Sequence, residues 1–150
     1  MPESATPQAL DRAAAMGLMA RAPADALETL FPDLPPHVLL RGPEIGTVMV
    51  RGRQGGTGAP FNLGEMTVSR CSVRLESGAV GHAHVQGRDR NHARRAAVLD
   101  ALLQTAQAPS LAEAVLAPLA RAENSRRETR AAKAAATKVE FFTLVRGEDQ

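Results

Sequence analysis

Short turns separate strand-like segments in the middle of this sequence, and this pattern constrains the fold more than any other feature. Each segment is rich in β-branched residues or alternates apolar and polar residues, as strands do. The segments are His37–Arg41, Ile45–Arg51, Glu65–Leu75 and Ala79–Gln86. Turns are expected at Gly42-Pro43 and at Ser77-Gly78, with a flexible glycine-rich connection at 55–58. The sequence therefore predicts an antiparallel meander sheet across residues 37–87.

The alternation changes phase inside the third segment. In a regular strand, Met66 and Val68 would lie on one face, and Cys71, Val73 and Leu75 would lie on the other. An extra residue in a strand produces such a change, so we expect a β-bulge near Ser69–Arg70.

Helical patterns flank the predicted sheet. Residues 7–20 predict a short helix, and a second is expected around Ala24–Leu30, ended by Pro35-Pro36. The face of the first helix carries Leu10, Ala14, Leu18 and Met19. After the sheet, residues 89–106 predict the clearest helix, with Asp89 as its N-cap. Its apolar stripe consists of Ala96, Leu99, Leu102, Leu103 and Ala106.

The C-terminal third has little bulky apolar material. Ser110 and Glu113 have the spacing of a capping box, and Pro118 is expected to kink or end the helix that it opens. Residues 120–138 contain alanine and charged residues but no Leu, Ile, Val, Met or Phe. This pattern predicts a helix that is either a solvated spacer or an arm docked through its alanines. Val139–Val145 predicts a final strand, with Phe141 and Phe142 on opposite faces.

These segments predict one α+β domain over residues 1–150, in which helices cover an antiparallel meander sheet. Its parts are a helical N-terminal segment 1–36, the sheet 37–87, helices 88–138 and a final strand 139–147. The single cysteine, Cys71, excludes an intrachain disulfide, and neither a signal peptide nor a membrane span is visible. A soluble, cytoplasmic protein is expected.

Charge and composition leave the function open. The formal charge is +2, and the basic residues are nearly all arginine. Arginine binds phosphate bidentately, so a nucleic-acid or phosphate partner is one interpretation. Codon bias of a GC-rich genome is the preferred one, since the four phenylalanines do not alternate with arginine clusters as base stacking would require.

Few residues suggest chemistry. The run Arg53-Gln-Gly-Gly-Thr-Gly58 lacks the Lys of a Walker loop, so a plain turn is favoured over a backbone nest for phosphate. His82 and His84 would share a strand face, but no further metal ligands lie near them, and solvent exposure is favoured over a metal site. His92 falls on the inner stripe of its helix, which favours a buried histidine bonded to a backbone group. The alternative is a ligand or subunit contact made with Arg88 and Asp89.

Three segments resemble the PhnG family. They are Arg53-Gln-Gly-Gly-Thr-Gly-Ala-Pro-Phe61, then Val85-Gln-Gly-Arg-Asp-Arg-Asn-His92 continuing to Leu102, and Phe141-Phe-Thr-Leu-Val-Arg-Gly147. Each motif alone is weak, but their order, spacing and the total length agree with the family. The resemblance covers most of residues 41–150.

The resemblance implies a subunit of the bacterial carbon–phosphorus lyase core complex, with PhnH, PhnI, PhnJ and PhnK. With PhnI, PhnH and PhnL, such a subunit supports formation of α-D-ribose 1-methylphosphonate 5-triphosphate from MgATP and methylphosphonate, with release of adenine. It implies no cofactor on this chain, since the iron–sulfur cluster belongs to PhnJ and MgATP is a substrate of the assembly.

No catalytic residue and no metal ligand is predicted, and neither a membrane nor a nucleic acid is expected as a partner. The candidates for binding substrate or partner are Arg53, Gly55, Gly56, Thr57, Gly58, Arg88, Asp89, His92 and Arg146. Two alternatives stay open: an enzyme that binds a phosphorylated ligand by itself through Arg53, the glycine loop at 55–58, Arg88 and His92, and an arginine-rich nucleic-acid-binding protein.

Overall fold

The structure is a computed structural model that describes residues 11–139. Three strands form one antiparallel sheet in the order β1-β2-β3, and helices lie before and after it in the chain. The elements are α1 (Arg12–Arg21), α2 (Ala24–Leu30), β1 (His37–Arg53), β2 (Pro60–Leu75), β3 (Val80–Gln86), α3 (Arg90–Leu102), α4 (Ala108–Leu111) and α5 (Ala117–Ala136). The predicted α+β class and the meander are confirmed.

The three strands differ greatly in length. β1 has 17 residues and β2 has 16, whereas β3 has only 7. Since β3 pairs only with Val68–Arg74 of β2, the distal part of the β1–β2 hairpin has no third strand beside it. We call this part, residues 47–67, the hairpin extension. It runs from the pair Thr47–Thr67 to the pair Arg53–Pro60, with a 3₁₀ turn at Gln54–Gly56.

The predicted turn at Gly42-Pro43 is wrong, because β1 continues through it as one strand. The register shifts between Leu39 and Arg41 and again between Arg41 and Glu44, so the extra residues bulge out of β1. Pro43 is tolerated since β1 is an edge strand, where a missing N–H leaves no ladder bond unmade.

The bulge expected near Ser69–Arg70 is also wrong. The pairing of β2 with β3 runs without a shift from Val68–Gln86 to Arg74–Val80. Ser69 itself takes the inward position of the alternation, ahead of Cys71, and its hydroxyl donates to the carbonyl of Gly87 at 2.8 Å. Val68 is buried as well, although it lies on the other side of the strand, so burial itself changes phase between these two adjacent residues.

α3 covers the inner face of the sheet and forms the centre of the core. Asp89 caps it as predicted, since its carboxylate accepts from the backbone N–H of His92 at 2.9 Å. Ala96, Leu99 and Leu102 are buried as expected, but the helix ends at Leu102 rather than at 106, and Ala106 is exposed. The Thr105 hydroxyl donates to the carbonyl of Leu102 at 2.6 Å and so helps to end the helix.

α1 and α2 complete the core on the side of α3. The bounds predicted for α2 are confirmed. The face predicted for α1 is only partly correct: Leu18 and Met19 are buried, but Ala14 is exposed and Ala15 is buried in its place. The buried stripe continues to Ala22. The face of α1 that packs on the core is therefore displaced around the helix axis from the predicted face. Leu10 lies outside the described residues.

The last helical region does not begin with the predicted capping box. α4 already starts at Ala108, and the Ser110 hydroxyl donates to the carbonyl of Gln107 instead of capping the helix. A π-helical turn at Ala112–Leu116 precedes Pro118, which stands in the first turn of α5 and is therefore tolerated there.

α5 leaves the core after its first turns. Leu119 is its last buried residue, and every residue from Asn124 to Ala136 is exposed. The predicted final strand lies outside the described residues except for Val139. No helix in the described part is long and apolar enough to cross a membrane.

Candidate functional site

The glycine-rich candidate loop is the turn at the tip of the hairpin extension. Gly55 and Gly56 have φ of 57° and 83°, which only glycine adopts readily, so these two residues close the turn. The N–H of Gly58 donates to the carbonyl of Gln54 at 2.7 Å. Arg53 folds over the same turn and donates to the carbonyl of Gly58 at 3.2 Å. The loop connects β1 to β2, and the N–H of Gly58 is unavailable for an anion nest.

The second group of candidates lies at the start of α3. His92 is buried, and its Nε2 lies 2.9 Å from the carbonyl oxygen of Met19 in α1. Burial lowers the pKa of His92 below its ordinary value, although the Met19 carbonyl and Asp89 oppose this. The favoured interpretation of a histidine satisfied by a backbone group is therefore confirmed. Arg88 is exposed next to the Asp89 cap.

The two groups of candidates do not form one site by direct contact. Among the described residues, no hydrogen bond or ion pair joins Arg53 or Thr57 to Arg88 or His92. Arg146 lies outside the described residues. The assignment of these residues to substrate or partner binding thus stays a prediction.

Two buried charges on α3 were missed by the sequence reasoning. Asp100 accepts from Arg12 at 3.0 and 2.8 Å and from the backbone N–H of His82 at 2.8 Å. The signal was present, because Asp100 interrupts the otherwise apolar run from Ala96 to Leu103, where an unpaired carboxylate would be costly.

Arg95 is the second buried charge. Its guanidinium donates to the carbonyls of Phe31 and Pro32 and to the carboxylate of Glu28 at 3.1 Å. It therefore fixes the end of α2 and the following turn against α3. Such a contact between distant segments has no local pattern in the sequence.

Cys71 is unsuited to nucleophilic catalysis, and the two histidines of the HxH pair are exposed to solvent as favoured. Cys71 is buried, burial raises the pKa of its thiol, and the Sγ donates to the Arg41 carbonyl at 3.4 Å. A buried, protonated thiol is a poor nucleophile. His82 and His84 are exposed, and no group of three metal-binding side chains occurs among residues 11–139.

The face of the sheet opposite α3 carries a concentration of basic side chains, and we call it the outer face. Ser72 lies at its centre, with Arg70 and Arg74 two residues away on the same strand. The register places His82 beside Ser72, and the Ser72 hydroxyl lies 2.9 Å from the Nδ1 of His82. On the other side of Ser72 lies Arg41 of β1. These groups can donate hydrogen bonds to an anion.

Comparison with known proteins gives the same family as the three segments that resemble PhnG. The family model described as "Phosphonate metabolism protein PhnG" matches residues 10–147. The chain is also 47% identical over 137 residues to the α-D-ribose 1-methylphosphonate 5-triphosphate synthase subunit PhnG of Rhizobium meliloti (strain 1021). That alignment covers 89% of this chain and 88% of the relative. The similarity therefore extends over nearly the whole chain, N-terminal helices included.

Proposed function

The chain belongs to the PhnG family of phosphonate metabolism proteins, and from this premise we propose that it is an accessory subunit of α-D-ribose 1-methylphosphonate 5-triphosphate synthase. The observation that carries the proposal is the 47% identity to a protein of that name over nearly the full length of both chains. In this role the chain supports the reaction of MgATP with methylphosphonate but does not itself supply the catalytic groups. Its partners would be PhnI, PhnH and PhnL, and in the core complex PhnJ and PhnK, within the cytoplasm.

The hairpin extension supports a subunit role. Met49 and Leu63 are 53% and 66% exposed, and Phe61 is also exposed near the tip. A two-stranded hairpin is marginally stable in water when nothing packs against it. Apolar side chains on such a hairpin favour a surface that is covered when the protein is assembled.

α5 provides a second projecting element. From Asn124 to Ala136 its 13 exposed residues extend about 20 Å at the usual helical rise. Its last turns, residues 131–136, are alanine except for Lys133, whereas the arginines lie in the turns before them. A partner can therefore approach the backbone closely at the alanines while the charged side chains lie at the rim. This geometry favours the docked arm over the solvated spacer.

The chemistry of the described residues favours an accessory role over an independent enzyme. Cys71 is buried and protonated, Asp100 is held by Arg12, and His92 is held by Met19. Each of these groups has a structural partner within the described part of the chain.

Reconstitution tests the proposal directly. The full chain is expressed with its PhnI, PhnH and PhnL partners, and adenine release from MgATP and methylphosphonate is measured with and without it. Stable co-purification and a loss of activity on omission are expected. Full activity without the chain, or a chain that remains monomeric beside all its partners, contradicts the proposal.

The same samples separate the alternatives. Turnover of MgATP and methylphosphonate by the isolated chain would establish an independent enzyme. Salt-dependent binding of DNA or RNA at low ionic strength would favour the nucleic-acid-binding protein.

A further inference from the structure

The outer face of the sheet has an unusual balance of charge. An antiparallel sheet commonly leaves one face in water, and solvated surfaces usually mix both signs of charge. Within the paired strands, three arginines, Arg41, Arg70 and Arg74, share the face with Glu44. Glu76 lies just beyond the end of β2, beside Arg74, so the arginines outnumber the carboxylates by three to two. Like charges this close repel one another, so the face gains from an anion that neutralises it.

Glu44 shows where an oxyanion fits. Its Oε2 lies 3.5 Å from the Nε of Arg41 and 3.4 Å from the Nε of Arg70, so one carboxylate oxygen bridges two guanidinium groups. Both contacts are long for charge-assisted hydrogen bonds, which are usually below about 2.9 Å. The side chains of all three residues are about half exposed. The two arginines are therefore held near each other while their donors stay accessible from solvent.

Ser72 places further donors beside these arginines. It lies between Arg41 on β1 and His82 on β3, and its hydroxyl already contacts the imidazole at 2.9 Å. Arg70 and Arg74 are four residues apart, which is about 13 Å along a strand. Both side chains can reach toward the position above Ser72. Arg74 forms no ion pair with any residue of the described chain, so its guanidinium is available.

We propose that the outer face binds the phosphate groups of a phosphorylated ligand, centred on Ser72 and gripped by Arg41, Arg70 and Arg74. Guanidinium groups recognise phosphate oxygens bidentately, which a compact ammonium group does not do. In the proposed assembly the fitting ligand is a triphosphate ester, the group shared by the nucleotide substrate and its product. The identification of the ligand as a triphosphate ester rests on the proposed function. The ability of the face to bind phosphate groups rests on its arginine side chains alone.

The face recognises the phosphate chain and not the base. Apart from the small imidazoles of His82 and His84, the side chains around Ser72 are arginine, glutamate and valine, with no Phe, Tyr or Trp as a stacking platform for a base. A shallow depression of about 380 Å³ beside Arg74 is also lined by Glu76 and Val38, and that carboxylate disfavours a phosphate there. ATP and inorganic tripolyphosphate are thus expected to bind with similar affinity, and adenosine is expected not to bind.

Calorimetric titration of the full chain with tripolyphosphate, ATP and adenosine tests the inference. The paired substitution Arg70→Gln with Arg74→Gln is expected to weaken tripolyphosphate binding at least about tenfold. Arg126→Gln with Arg130→Gln removes the same charge from the exposed part of α5 and serves as the control, with a change below about twofold. In NMR spectra of the labelled chain, the amide signals of Ser72 and His82 are expected to shift on titration.

Glu44→Gln provides a test with the opposite sign. It removes the carboxylate that competes for Arg41 and Arg70, so binding of tripolyphosphate is expected to strengthen by about two- to fivefold. The control is Glu128→Gln on α5, which raises the net charge equally without touching the face.

Several outcomes overturn the inference. These are no binding of tripolyphosphate, equal weakening by both arginine pairs, strengthening by both glutamate substitutions alike, or binding of an acidic protein or RNA at this face without binding of tripolyphosphate. The inference and the proposed function fail separately. A chain that assembles and supports adenine release but does not bind tripolyphosphate keeps the function and loses the phosphate site.

Discussion

Asp100 links the helical layer to the free edge of the sheet. Its carboxylate accepts from the backbone N–H of His82 on β3 and from the guanidinium of Arg12 on α1. Gln104, four residues later and just beyond the end of α3, donates to the carbonyl of Val80 at 2.7 Å. The two side chains therefore satisfy backbone groups that an edge strand would otherwise present to another chain. A carboxylate is tolerated at this buried position because the His82 N–H and the Arg12 guanidinium both require an acceptor there.

Substitution of Asp100 measures that role. Asp100→Ala leaves the His82 N–H without its acceptor and is expected to lower the free energy of unfolding by about 2–4 kcal/mol. Asp100→Asn is expected to cost about half as much, since the amide oxygen can still accept from His82. Urea denaturation of the full chain gives both values. Glu113→Ala, at an exposed position, is the control, with a change within about 0.5 kcal/mol. Equal losses for the alanine and asparagine variants would contradict the assigned hydrogen bond.

His92 predicts a pH dependence of stability. Burial lowers its pKa in the folded state, so the unfolded chain binds more protons as the pH falls below the ordinary imidazole pKa of about 6.5. The contribution of His92 to stability is therefore expected to be full above about pH 7 and to decline as the pH falls from 7 to 5, by at most about 1.4 kcal/mol per pH unit. His92→Gln keeps a donor for the Met19 carbonyl and should flatten the decline. Denaturation midpoints measured across this pH range check the prediction, and an unchanged slope in the variant would refute it.

At the scale of the elements, the close contact of β3 with α3 organises the core. At Gly81 an added Cβ would collide with the carbonyl of Ala97 and with the backbone N–H and side chain of Ala101. Alanines at 97 and 101 and the glycine together let the helix axis approach the strand. The core contains few bulky groups, and this close approach brings the small side chains into contact.

Gly81→Ala tests this contact. The helix would have to move away from the strand, so the free energy of unfolding is expected to fall by about 3 kcal/mol or more. Gly46→Ala, also in the sheet, adds a Cβ that meets no atom within 4 Å and is the matched control, expected to stay within about 1 kcal/mol. Denaturation curves of the two variants settle it. Equal stability of both would show that α3 and β3 do not pack this closely.

Local signals in the sequence predicted the elements that local interactions determine. Asp89 and the apolar stripe of α3 were identified because an N-cap and a helical period need only neighbouring residues. Gly42-Pro43 was misinterpreted because a turn and a bulge have the same local composition, and only the pairing of β1 with β2 distinguishes them. Ser69 was missed for the same reason, since its partner at Gly87 lies 18 residues away. The basic outer face requires the register of all three strands, which no single segment contains.

At the scale of the whole molecule, two elements, the β1–β2 hairpin and α5, extend beyond the hydrophobic core. The sheet is three-stranded only near α3, while the hairpin extension and the distal part of α5 leave this body. Extended elements without packing partners carry an entropic cost that an isolated domain would not recover. A subunit recovers it on assembly. The architecture is therefore explained better by docking than by independent action.

Substitution of the two most exposed apolar residues of the hairpin extension separates folding from assembly. Met49→Ser with Leu63→Ser removes side chains that contact little of the chain's own core, so the free energy of unfolding should change by no more than about 0.5 kcal/mol. Association with the synthase partners should weaken at least about tenfold, since buried apolar anchors contribute roughly 1 kcal/mol or more each at interfaces. Ala13→Ser with Ala14→Ser, on the exposed side of α1, is the matched control and should leave association unchanged. Binding measured by co-purification and by calorimetry gives the comparison. Undiminished association would place the interface elsewhere, and a large loss of stability would show that the extension packs against its own domain.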